Sequence, residues 1–285
     1  MMMYKGITAL RKIMLVLACI AITTGCAGIE KQGKSSVVQN RLKGYLTSDT
    51  VPNGAAFIPP PPAAGSTALA LDQDVSRNSL TLRDSPRWML AAEDADLKFP
   101  GVAAAFSCAL NAPITGQDTP HLYMLMRRIL SDVSLASSKA KKMYMRARPF
   151  VVNKEPTCSP KDEQFMVTNS SYPSGHSAVG WAWALILSEV SPGQADAILA
   201  RGRAFGQSRV ICNVHWQSDV IEGRSLGVAT VARLHADPLF RAELEAARTE
   251  LAAVRAKGLK PARDCKAEAD ALARYPQLAP WPANR

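Results

Sequence analysis

Three short stretches of this chain hold residue types that can act together on an oxyanion. The first, "KKMYMRARP", spaces the cations Lys141 and Arg148 seven residues apart and closes on Pro149. On a continuous helix that spacing is about two turns, so it predicts both cations on one face. The second is "PSGH", Pro173 to His176, directly ahead of the apolar run "SAVGWAWALILSEV". The third, "SRVICNVHWQSD", runs from Ser208 to Asp219 and contains Arg209 and His215. His215 and Asp219 are four apart, which puts them on one face if that stretch is helical.

The chemistry follows from the residue types. A helix that begins at PSGH offers unpaired backbone N–H groups beside Ser174 and Gly175, a favourable place for an anion. Gly175 lets the backbone come close to it. Lys141, Arg148 and Arg209 supply positive charge, and the planar fork of arginine binds two oxygens at once. Of four histidines in the chain, His176 and His215 fall in these clusters. A carboxylate at Asp219 would fix the tautomer of His215 and leave its other nitrogen free to attack, while His176 protonates the leaving oxygen. Taken singly, the same residues have blander readings: Lys141 and Arg148 as a solvated helix face, His176 as a helix residue without a role, Asp219 as a partner of Arg224 or a turn cap. A metal held by His176, His215 and Asp219 is opposed by the three cations. The joint occurrence favours a phosphate cradle that needs no metal and no cofactor.

These residues must be positioned by helices. "STALALDQDVSRNSLTL" and "PRWMLAAEDADL" suit helices, and Thr119-Pro120 is expected to cap and open a long one that stops at Pro149. A loop of about twenty residues follows, of a length that is usually functional or disordered. The apolar run after His176 is a buried helix, Ser191-Pro192 starts another, "HWQSDVIEGRSLGVATVARLHA" gives one more, and Asp237-Pro238 opens an amphipathic one. No segment alternates as a strand does, so the fold class is all-α, a compact helical bundle.

The chain has 285 residues, 47% of them hydrophobic and 20% charged, enough for a sizeable core. The first 27 residues differ from the rest. Lys5, Arg11 and Lys12 precede "IMLVLACIAI", an apolar run too short to span a membrane, and then "TTGCAG". This reads as a secretory signal over residues 1–27, cut after Ala27. The alternative is a lipobox that leaves Cys26 acylated as a lipid anchor, with Thr23 standing where leucine is usual. The expected location is therefore periplasmic or secreted. Residues 28–57 read as loosely ordered, 58–256 as the helical domain opened by the proline run "IPPPPAAGS", and 257–285 as a tail that wraps the surface. No run of 18 apolar residues remains to span a membrane. The net charge of +10, lowered by three when the signal leaves, suits anionic substrates. No basic cluster interleaved with aromatics suggests nucleic acid. Cys108, Cys158, Cys212 and Cys265 remain, enough for two disulfides in three connectivities, and none are at CxxC spacing for a metal. The oligomeric state is left open, a homo-oligomer included.

Lys-x6-Arg-Pro, then PSGH, then Ser-Arg-x5-His-x3-Asp, in that order and without substitution, resembles the three-part signature of the type 2 phosphatidic acid phosphatase superfamily, which also includes vanadium haloperoxidases. "IPPPPAAGS", "LAAEDADL", "SSYPSGH" and "GQSRVICNVHWQSDV" further resemble the bacterial class A nonspecific acid phosphatases, over about Ile58 to Ala256. The resemblance implies a helical bundle and an exported acid phosphatase of broad range on small phosphate monoesters. It implies a phosphohistidine on His215, oriented by Asp219, with His176 as general acid and then base. Lys141, Arg148, Ser174, Gly175 and Arg209 would hold the phosphate. It also implies a Cys158–Cys212 bridge, leaving Cys108 and Cys265, additions to the class pattern, to pair with each other. Ser170 replaces a glycine usual before this motif. A vanadium-dependent haloperoxidase and a lipid phosphate phosphatase are the alternative readings.

Overall fold

The computed structural model describes residues 42–273, which belong to one compact unit. Among the described residues there is no strand. The helices in chain order are α1 Thr67–Ser79, α2 Pro86–Glu93, α3 Ser107–Leu110, α4 Pro120–Lys141, α5 Pro149–Asn153, α6 Glu163–Val167, α7 Gly175–Val190, α8 Ala195–Ile211, α9 Gln217–Leu234, α10 Pro238–Ala256 and α11 Cys265–Ala273. The fold is all-α.

α7 is the centre. Its sequence is apolar on nearly every side, which requires partners all round: it packs against α8, α9 and α4. Ala178, Ala182, Trp183, Ala184 and Leu187 are wholly buried. The indole Nε1 of Trp183 donates to the Met126 carbonyl at 2.9 Å, so the one polar atom of this large side chain is satisfied. α10 lays its apolar stripe of Phe240, Leu244, Leu251 and Val254 on α4. α9 approaches α7 closely because glycines face it. A Cβ at Gly223 would stand 2.4 Å from the Ser174 carbonyl oxygen, and one at Gly227 2.6 Å from that of Ala178. The mouth of α7 is tied to the first turn of α9 as well: the Ser174 N–H donates to the Asp219 carbonyl at 2.9 Å.

Several sequence expectations are corrected. The long helix ends at Lys141, and residues 142–148 form a loop. Pro149 disfavours the helical conformation in the residue before it, and Arg148 is extended, as the N-cap of α5. Lys141 and Arg148 therefore do not share a helix face; the loop brings them together. Thr119 stands at the N-cap of α4 without a capping hydrogen bond from its side chain. The carboxylate of Glu250 does that work, accepting from the N–H groups of His121 and Leu122 at 3.0 Å each. The stretch after Pro149 contains α5 and α6 rather than bare loop. Ser191-Pro192 starts a single 3-10 turn ahead of α8.

The packed unit also begins before Ile58. Leu46 and Val51 are buried in the main core, and the N–H groups of Tyr45 and Leu46 donate to Asp132 at 3.0 and 2.9 Å. At the other end, residues 265–273 form α11 instead of an irregular tail. Disulfides join Cys158 to Cys212 and Cys108 to Cys265. The expected signal at 1–27, including Cys26, lies outside the described residues.

Candidate active site

The three sequence clusters converge at the N-terminus of α7. α8 ends at Ile211, and the Arg209 carbonyl accepts the N–H of Val214 and of His215, both at 3.2 Å. That turn delivers His215 directly ahead of α9. Asp219 sits in the first turn of α9 and has two tasks. Its Oδ2 accepts the N–H of Trp216 at 2.8 Å, half of a capping box, and lies 3.2 Å from Nδ1 of His215. A carboxylate can only accept here, so Nδ1 carries the proton. Nε2 of His215 therefore presents its lone pair, which accepts from Nη1 of Arg148 at 3.1 Å.

Arg148 is buried and held in place by carbonyls: Nε donates to Met166 at 3.0 Å, Nη1 to Val214 at 3.0 Å and Nη2 to Ser170 at 3.2 Å. The ammonium of Lys141 donates to the Ser170 carbonyl at 2.6 Å. Arg209 is 2% exposed, and its Nε and Nη1 have no hydrogen-bond partner in the protein. Among the described residues, none of these three cations is ion-paired with a carboxylate. Such a group is costly unless an anion completes it. Ser174 accepts from the N–H and hydroxyl of Ser177 at 3.3 and 2.8 Å, which leaves its own O–H to donate. Gly175 opens α7 beside the buried Ser137 hydroxyl, which also has no partner in the protein. His176 keeps a partly exposed edge, and its Nε2 donates to the Ala95 carbonyl at 2.9 Å.

The electrostatics match the geometry. Burial, then Arg148, Lys141 and Arg209, hold His215 well below the usual imidazole range. Burial and then Arg209 do the same for His176. Burial followed by Arg148 pushes Lys141 down to about 7. Burial also brings both Arg148 and Arg209 down to about 10. Crowded cations beside two histidines whose charged form is disfavoured suit a site that binds a negative charge. Among the described residues, no cluster of three or more His, Cys, Asp or Glu is disposed to hold a metal.

Two residues were missed from the sequence. Arg146 donates to Oδ1 of Asp219 at 2.6 Å and to Asp72 at 2.7 Å, and its guanidinium stacks 5.4 Å from the Trp216 ring. Asp72, on α1, also accepts the N–H of Ser218 at 2.8 Å. Burial raises the Asp219 carboxyl, and Arg146 is the main force holding it down. Arg146 lies inside the first cluster, two residues before Arg148, but its partners are 73 and 74 residues away. No local spacing reports a pair so distant.

The family model described as the PAP2 superfamily matches residues 121–241, which contain all three clusters. The chain is 45% identical over 209 residues to a non-specific acid phosphatase of Providencia stuartii, covering 73% of this chain and 84% of that one. It is 43% identical to a non-specific acid phosphatase of Salmonella typhimurium over 70% of this chain and 80% of that one. It is 36% identical to an acid phosphatase of Zymomonas mobilis, over 88% and 95%. The chain belongs to the class A non-specific acid phosphatases of the PAP2 superfamily, and it is a phosphatase.

Proposed function

We propose that this phosphatase hydrolyses a broad range of small, soluble phosphate monoesters through a phosphohistidine, without a metal, after export from the cell. The observation that carries the reading is the pair of bonds on His215. Nδ1–H is committed to Asp219, and the Nε2 lone pair points among cations that lack carboxylate partners.

Substrate phosphate takes the N–H groups of Arg148 and Arg209, the Lys141 ammonium, the Ser174 hydroxyl and the first N–H groups of α7. Nε2 attacks phosphorus, and the bond from phosphorus to the leaving oxygen breaks. The leaving oxygen takes a proton from His176. Asp219 stabilises the positive charge that grows on the ring of His215. Water then attacks the phosphohistidine, giving its proton to His176, and the P–N bond breaks to release phosphate.

Burial, and then the cations, disfavour the charged form of both histidines. A bound phosphate dianion opposes that field, so the site takes up from solvent the proton that His176 must donate. Attack requires neutral His215, and departure requires protonated His176. The rate profile is therefore bell-shaped and lies on the acid side of neutral. No described helix is long and apolar enough to cross a membrane, which supports soluble substrates over bilayer lipids.

The test is hydrolysis of p-nitrophenyl phosphate at about pH 6 with excess EDTA, on wild type and His215→Ala together. Activity that survives EDTA and is lost in the variant is the expected result, with a phosphoenzyme trapped by an alkaline quench, in which the P–N bond survives, only in wild type. Loss of activity with EDTA overturns the metal-free mechanism. Halide oxidation in the presence of vanadate would favour the haloperoxidase reading.

A further inference from the structure

Outside the cradle, a buried charge cluster lies behind the turn that meets the ring of His176. Nε2 of His176 rests on the carbonyl of Ala95, in the turn Asp94-Ala95 that follows α2. A cavity of about 270 Å³ borders this turn, lined by Glu93, Asp94, Asp96, Lys98 and Arg263 among others. Besides its backbone hydrogen bonds, ion pairs on the two residues before Ala95 hold it.

Asp94, 1% exposed, receives two guanidinium nitrogens of Arg201 at 2.5 and 3.1 Å and the Ser208 hydroxyl at 2.6 Å. Glu93 is reached by Arg263 at 2.6 Å. Both arginines then meet Glu268 on α11: Nε of Arg201 lies 3.4 Å from it and Nε of Arg263 2.8 Å. Cys265 lies between Arg263 and Glu268 in sequence and is bonded to Cys108. The disulfide thus pins the C-terminal segment where its glutamate completes a charge relay to the two residues before Ala95.

We infer that Asp94 and Glu268 are positioning residues for the general acid, and that the Cys108–Cys265 bridge makes the C-terminal segment part of the catalytic apparatus. This rests on the proposed role of His176. The carbonyl of Ala95 sets the ring orientation and the tautomer of His176, leaving Nδ1 to exchange the proton. Loosening the turn lets the ring swing, so proton delivery to the leaving group suffers while the cradle and His215 are untouched.

General acid assistance matters most for poor leaving groups, so the readout is a leaving-group series. The full-length protein and its Glu268→Gln and Cys108→Ser/Cys265→Ser variants would be assayed on aryl phosphates of increasing phenol pKa and on an alkyl phosphate. The constant followed is kcat/KM, which reports the steps up to phosphoryl transfer. The expected result is a loss of tenfold or more on the alkyl phosphate in either variant, against less than about threefold on p-nitrophenyl phosphate. Circular dichroism confirms folding, and Glu268→Gln keeps the disulfide should the double serine variant unfold. An equal loss on every substrate, or none, overturns the inference. His176→Ala is run alongside. If it too loses activity evenly across the series, the general acid reading itself has failed. If it discriminates between leaving groups and Glu268→Gln does not, only the positioning inference has.

Discussion

Two arginines eight residues apart on α8 are equally buried and opposite in kind. Arg201 and Arg209 are each 2% exposed. Arg201 is clamped by Asp94 and approached by Glu268, and these carboxylates raise its pKa against the cost of burial. Arg209 is pushed down, with two nitrogens unpartnered and Arg148 rather than a carboxylate as its main charged influence. The first is architecture; the second is, under the proposed function, a phosphate receptor. A buried charge whose partners belong to the fold stabilises the folded state or at least does not tax it; one left incomplete is held ready for a ligand.

The comparison can be broken by removing each cation in turn. Arg201→Ala is expected to cost about 3–5 kcal/mol in a urea melt, because Asp94 is left charged and buried. Arg209→Ala is expected to leave the melt of the ligand-free protein unchanged or shifted to higher denaturant, while kcat/KM for p-nitrophenyl phosphate falls about 10²–10³-fold. The same loss of stability in both variants would erase the distinction. Lys141 sharpens it at the small end. Burial and Arg148 bring its ammonium down to about 7, so above that pH an anion can bind only by also taking up a proton. Competitive inhibition by sulfate, which does not titrate here, is expected to weaken by up to about tenfold per pH unit above 7. A flat inhibition constant through that range would show that Lys141 stays charged in the empty site.

The same contrast explains what was legible in the sequence. Receptor residues stand in short motifs, because a phosphate must be met by groups that a turn or a helix end brings together. Pro173, Gly175 and the apolar run marked the start of α7, and Asp237-Pro238 marked α10. The architectural pairs carry no such mark. Arg201 and Asp94 are 107 residues apart, and Arg146 and Asp72 are 74 apart. Each looks like an ordinary surface charge until the chain folds. The early segment was missed for a related reason. Tyr45 and Leu46 pack on the core where Asp132 collects their N–H groups, and no periodicity announces two adjacent apolar positions. The spacing of Lys141 and Arg148 was read as helical when Pro149 forces Arg148 into an extended conformation.

The glycines that let α9 ride on α7 bear on how this enzyme can be re-engineered. Gly223 and Gly227 set the gap between the two helices that carry the histidines, and even a methyl group there would collide with main-chain oxygen. That seam is closed to variation, since widening it would separate the proposed acid from the proposed nucleophile. Residues 142–169 hold Arg146 and Arg148 and also carry Met143, Met145, Val152, Phe165 and Val167 exposed. A mutant library seeking new substrates has its freedom at those five exposed positions, where shape can change while the helix seam stays set.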